Sequence, residues 1–139
     1  MASLTLAEAE KILEGAKKKI AEMGVRMSVS ITDQRGDLIA MIRTDGASWR
    51  TPTISRGKAI SSACFGLPSK DLEERSNAPV FRAFAITQDG NFIMGQGAVP
   101  LYKGGEIVGA VGASGGTGEE DEQVSMTGAM AAGIAMKAS

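Results

Sequence analysis

A chain of 139 residues is long enough for one domain with a real core. Its 15 basic and 16 acidic residues leave a net charge of −1, and no basic block is interleaved with aromatics, so nucleic-acid binding has little support. There is no histidine and a single cysteine, which excludes a Ser-His-Asp triad, a Cys-His pair, a histidine-bearing zinc site, a four-cysteine site and an intrachain disulfide.

Residues 1–13 lack the basic flank and continuous apolar centre of a signal peptide, and no run reaches the roughly 20 apolar residues of a spanning helix. A cytoplasmic protein with no membrane partner is expected. Thr5 and Glu8 form a capping box, and Leu6, Ala9, Leu13, Ala16, Ile20 and Met23 then recur at helical spacing until Gly24. From Arg26 the period becomes two. Met27, Val29 and Ile31 alternate with Ser28, Ser30 and Thr32, which predicts a strand with one buried face. A turn through Asp33 and Gly36 leads to a return strand over residues 38–42.

Thr51-Pro52 opens a second helix that runs to about Phe65, with Ile54, Ala59, Ile60, Ala63 and Cys64 as core candidates; Lys58 lies within it, and a lysine in a helix is usually solvated. A short helix is expected after Ser69, and residues 77–88 read as loop and short helix. Phe92, Ile93 and Met94 predict a short strand. The strand over residues 98–102 contains Pro100, which places it at an edge or an irregularity.

The most informative stretch is residues 102–122. Gly104-Gly105 is a hairpin turn, residues 107–111 form a β-branched strand, and Gly115, Gly116 and Gly118 lead into the acidic helix start Glu119-Glu120-Asp121-Glu122. Such a strand, glycine loop and helix start can hold an anion on free N–H groups, although the carboxylates here repel a phosphate. The closing helix carries Val124, Gly128, Ala131 and Ala135 on a face of small residues suited to close packing on a sheet. The element order predicts an α+β layer structure with an antiparallel sheet of about five strands flanked by helices.

Five segments are distinctive together: Leu4-Thr5-Leu6-Ala7-Glu8-Ala9, Val29-Ser30-Ile31-Thr32-Asp33 with Gly36, Arg43-Thr44-Asp45-Gly46, Lys58-Ala59, and the closing Gly-Gly, Val-Gly-Ala-Val-Gly-Ala-Ser-Gly and Asp-Glu block. In these the chain resembles the haem-binding uptake family, with its GlcG-like and HbpS-like members, also found as the C-terminal domain of some corrinoid adenosyltransferases. The resemblance spans nearly the whole chain and implies a single domain over residues 1–139, a profilin-like sandwich and a homo-oligomer. It also implies that the first hairpin lies beside the last strand, bringing Arg43 and Asp45 towards Gly115. Its members bind haem or other tetrapyrroles, or are encoded beside enzymes of catabolism. The missing histidine removes the usual axial imidazole, leaving Tyr102, Cys64 or a methionine as donors.

Two functions follow. In the first the protein binds a small flat or anionic molecule, haem included, without a histidine ligand. Arg43, Arg50 and Arg56 then meet its carboxylates, with Asp45, Trp49, Gly115 and Gly116 around it. In the second it is a cofactor-independent isomerase, tautomerase or hydrolase of catabolism, with Lys58, Asp121, Glu122 and Tyr102 as acid–base candidates for a carboxylated or carbonyl substrate. A third possibility is a scaffold whose role is assembly. The aspartates have no metal-loop spacing, so no tightly bound divalent metal is expected. Gly95-Gln96-Gly97 lacks the setting of a nucleotide fingerprint.

Overall fold

The computed structural model describes residues 2–139. Helix α1 (Leu6–Met23) begins at the predicted capping box: Thr5 Oγ1 accepts the Glu8 N–H at 3.1 Å and Glu8 Oε1 accepts the Thr5 N–H at 2.9 Å. Gly24, at φ 67°, ends it. Its buried side includes Ile12 as well as Ala9, Leu13, Ala16 and Ile20, whereas Leu6 is largely exposed.

Four strands, β1 (Ser28–Asp33), β2 (Leu38–Arg43), β3 (Ala98–Lys103) and β4 (Glu106–Ser114), form one antiparallel sheet in the order β2-β1-β4-β3. The first hairpin therefore lies beside β4, with Ser28 between Arg43 and Ser114. Pro100 falls on the edge strand β3, where its missing N–H costs no ladder bond on the open side. The turn between β3 and β4 uses Gly104 and Gly105 at φ 59° and 81°, the left-handed pair of a tight hairpin.

The sheet has four strands, not about five. Residues 91–94 stay outside it because the Ile93 N–H bonds Gly57 O on the second helix at 3.2 Å, and the Ile93 side chain fills the notch left by Gly57. Phe92 joins an aromatic group instead, with ring centroids 4.8 Å from Phe84 and 6.5 Å from Phe65.

β1 also departs from the expected pattern, for both its faces are buried. Met27, Val29 and Ile31 enter the main core with Ile12, Ala16, Val124 and Ala129 from α1 and from α4 (Gly118–Ala131). The Ser28, Ser30, Thr32 side faces α2 (Thr51–Phe65), where Ser28 Oγ bonds Thr51 Oγ1 at 2.8 Å and Ser30 Oγ bonds Ser55 Oγ at 2.7 Å. Paired hydroxyls make that polar face compatible with burial. Gly112 of β4 lets α2 lie close, since a Cβ there would meet Ala59 N at 2.8 Å.

Cys64 is exposed, contrary to the expectation of a core residue, because α2 turns Ser55, Ala59, Ser62 and Ala63 inward and the next position points outward. Two 3-10 turns (Ser69–Leu72 and Arg75–Asn77) and α3 (Pro79–Thr87) follow. Helix α4 has its own capping box, Thr117 with Glu120, and ends before Ala135. Its small residues pack on α1 as well as on the sheet: a Cβ on Gly128 would stand 2.8 Å from Ile12 O.

Candidate functional site

Helices α2 and α4 lie on opposite faces of the sheet, yet Lys58 of the first reaches Asp121 of the second. Lys58 Nζ stands 2.9 Å from Asp121 Oδ2 and donates to Ala113 O at 3.1 Å. The passage exists because Gly97, just before β3, has no side chain: a Cβ there would lie 2.7 Å from Nζ. The side chains are only 9% and 4% exposed. Desolvation raises the Asp121 carboxyl above its ordinary value of 3.8, against the opposing hydrogen bond and charge of Lys58 and the Gly116 N–H.

Asp121 Oδ1 accepts that Gly116 N–H at 2.9 Å, and Glu120 Oε1 accepts the Thr117 N–H at 2.8 Å. Two donors of the glycine loop are thus taken by the protein's own carboxylates. The acidic first turn, which in sequence argued against a phosphate, occupies part of the anion site itself.

In front of this loop, at the end of β1 and β4, lies a cleft of about 400 Å³ lined by Arg26, Arg50, Thr51, Ile54, Gly115 and Gly116 among others. Three predicted ligand residues, Arg50, Gly115 and Gly116, meet here. Arg26 was not foreseen. Arg43 is close in the sheet, but its guanidinium donates to Ala47 O at 2.9 and 3.1 Å and holds the loop. Asp45 is exposed. Trp49 is 76% exposed, with the Arg50 guanidinium carbon 5.9 Å from its ring centroid. Arg56 borders different, smaller hollows beside Gly36 and Asn91.

The other two acid–base candidates lie elsewhere. Tyr102 and Glu122 line a mostly apolar cleft of about 720 Å³ with Val99, Met126 and Met136, between the β3 edge and the C-terminal segment. The Tyr102 hydroxyl donates to Gly66 O at 2.8 Å, and Gln96 Nε2 donates to Glu122 Oε1 at 3.3 Å. The segment is fixed by the Tyr102 N–H bonded to Ala135 O at 2.8 Å. Neither Lys58 nor Asp121 lines this cleft. The four predicted catalytic residues therefore split into a sealed pair and an open pair. Among the described residues there is no group of His, Cys, Asp or Glu arranged for a metal ion, and no helix long and apolar enough to cross a membrane.

Known proteins share this architecture. PduOC in complex with haem superposes with a TM-score of 0.89 at 20% identity, covering 98% of this chain and 99% of that one. The Klebsiella pneumoniae protein ORFY gives 0.88 at 24% identity, covering 96% and 93%. A double mutant of HbpS from Streptomyces reticuli gives 0.83 at 25% identity, covering 94% and 87%. In sequence, an uncharacterised 15.0 kDa protein of the dhaT-dhaS intergenic region of Citrobacter freundii is 29% identical over 129 residues, 91% of this chain and 90% of that one. The family model described as "Haem degrading protein HbpS-like" matches residues 4–130, from the first buried side chain to the last turn of α4, and on that match the chain belongs to the HbpS-like family.

Proposed function

We propose that the protein binds a flat, mostly apolar small molecule of the haem class in the cleft between the β3 edge and the C-terminal segment. The observation that carries this reading is the cleft itself: about 720 Å³, within the usual range of ligand sites, with the thioethers of Met126 and Met136 and the phenol of Tyr102 on its lining. Family membership and the haem-bound structural neighbour support the ligand class.

The donor set fits haem without an imidazole. Methionine and tyrosine both serve as axial donors to haem iron, and a soft thioether suits it without needing deprotonation. Here the Tyr102 hydroxyl is engaged by Gly66 O, so the methionines are the freer donors. Lys137, also on the lining, offers an ammonium to a ring carboxylate. Bound haem would supply a redox-active iron; the chain's part is to seat the ring and exclude water from one face.

The catabolic-enzyme reading gains nothing from the geometry. Its proposed base and lysine are sealed against each other behind the glycine loop, while its other two residues open on the apolar cleft.

The test is a hemin titration of the purified chain, followed at the Soret band, with the M126L/M136L double variant and Y102F beside it. A saturable Soret shift in the natural chain is expected, strongly weakened in the double methionine variant and little changed in Y102F. No saturable shift in the natural chain, or an undiminished one in the double variant, sinks the proposed seat.

A further inference from the structure

The arginine cleft shares no lining residue with the apolar one. We infer that it is a second, separate site, for a small organic carboxylate held by Arg26 and Arg50.

Both guanidinium groups lack an acidic partner. The ion pairs among the described residues join Lys17 to Glu14, Arg35 to Asp37, Lys58 to Asp121 and Lys103 to Glu8, and none includes Arg26 or Arg50. No aspartate or glutamate lines the cleft. Arg26 is laid in place by Gly46, whose φ of 81° turns the chain and whose missing Cβ leaves room for the guanidinium, 3.1 Å from where that atom would stand. Helix α2 opens into the same cleft through Thr51 and Ile54, with no side-chain cap and no acid in its first turn. The Thr51 N–H is bonded to Ser48 O at 3.0 Å and Pro52 has none, so the helix start adds its partial positive charge rather than free donors.

Two facts choose a carboxylate over phosphate. The Gly116 and Thr117 N–H groups, which would cradle a phosphate, are already bonded to Asp121 and Glu120. Those same carboxylates disfavour a dianion more than a single carboxylate beside the two guanidiniums. Planar guanidinium forks match a carboxylate bidentately, and Ile54 and Ala47 add an apolar wall that an inorganic ion does not use. Trp49 lies outside the lining, its ring centroid 5.9 Å from the Arg50 guanidinium carbon.

The experiment is a calorimetric and thermal-shift series with the monocarboxylates acetate, lactate and benzoate, against sulfate and phosphate at the same ionic strength, using the natural chain, R26Q and R50Q. Saturable binding of at least one carboxylate is expected, weakened about tenfold or more in each variant, as loss of a charge-assisted contact requires. Both arginines are exposed, so ligand-free melting of the variants should match the natural chain and serves as the check on folding. Absence of saturable carboxylate binding, equal stabilisation by sulfate and phosphate, or unchanged affinity in well-folded R26Q and R50Q each overturns the inference. The outcome is independent of hemin binding, because the methionine cleft is untouched by either substitution.

Discussion

Two lysine–carboxylate pairs in this protein have almost the same length and opposite electrostatics. Lys103 Nζ lies 3.0 Å from Glu8 Oε2, with side chains 34% and 26% exposed; Lys58 Nζ lies 2.9 Å from Asp121 Oδ2, with side chains 9% and 4% exposed. Glu8 is held below its ordinary value of 4.5, first by the Thr5 backbone N–H and then by Lys103. Asp121 is raised above 3.8, because desolvation outweighs everything Lys58 and Gly116 offer. An equally short contact therefore favours the charge in one place and fails to repay its burial in the other. The buried pair is a positioning device. It links helices on the two faces of the sheet and holds the Gly116 backbone that floors the arginine cleft.

The largest effect should come from breaking the buried pair on the lysine side. K58M leaves a buried carboxylate with no counter-charge, which costs about 3–5 kcal/mol at neutral pH. The loss should shrink in mildly acidic solution, where Asp121 takes up a proton and its charge disappears. Urea unfolding at both pH values checks this; a neutral-pH loss below about 1 kcal/mol would show that the carboxylate does not depend on Lys58.

D121N should cost less than K58M but is not neutral. Asparagine keeps an oxygen for the Gly116 N–H and turns its amide NH2 towards the Lys58 ammonium, which stays buried with Ala113 O as its acceptor and no counter-charge. The cost should be about 1–3 kcal/mol in the same urea series, below that of K58M because burial already disfavours the charge that the substitution removes. A D121N loss larger than that of K58M would mean that the pair overcomes the desolvation of its carboxylate.

Much of the fold was legible because it is written locally. Thr5 with Glu8, Gly104 with Gly105, and the turn at Asp33 and Gly36 each need only their own neighbours to work. What was not legible depends on partners distant in sequence. Ser28 and Ser30 read as a solvent face until Thr51 and Ser55 arrive to bond them. Lys58 reads as solvated until Gly97 opens its passage and Asp121 meets it. The apolar run at Phe92 has a strand's composition, yet the phenylalanines of α2 and α3 claim its side chain.

The site divides the same way. Arg50, Gly115 and Gly116 were found from arginines near a turn and glycines near a helix start, but nothing local joins Arg26 to them. The pairing of Ser28 with Ser114 does, since it sets the residues just before β1 beside those just after β4. Extending that register by two residues would have exposed the missed arginine. Met126 and Met136 had no such signal. They converge on one cleft only because Tyr102 pins the C-terminal segment against the β3 edge.

The smallest effects belong to the exposed pair, and their sign is the sharpest check on the comparison. E8Q keeps the capping-box geometry, since glutamine accepts the Thr5 N–H as glutamate does, and removes only the charge facing Lys103. The cost should be about 0.2–1 kcal/mol at neutral pH and low salt, and less at high salt. Because the Glu8 carboxyl is lowered on folding, its contribution is complete above about its unfolded value of 4.5 and is lost as pH falls through the folded one. Asp121 runs the other way: its carboxyl is raised, so its contribution is complete below about 3.8 and is lost as pH rises through the raised folded value. Stability profiles of E8Q and D121N, each subtracted from the natural chain over the acid range, should therefore slope in opposite directions. If both differences grew with rising pH, the Asp121 carboxylate would be stabilised by its lysine in the way Glu8 is, and burial would not be what separates the two pairs.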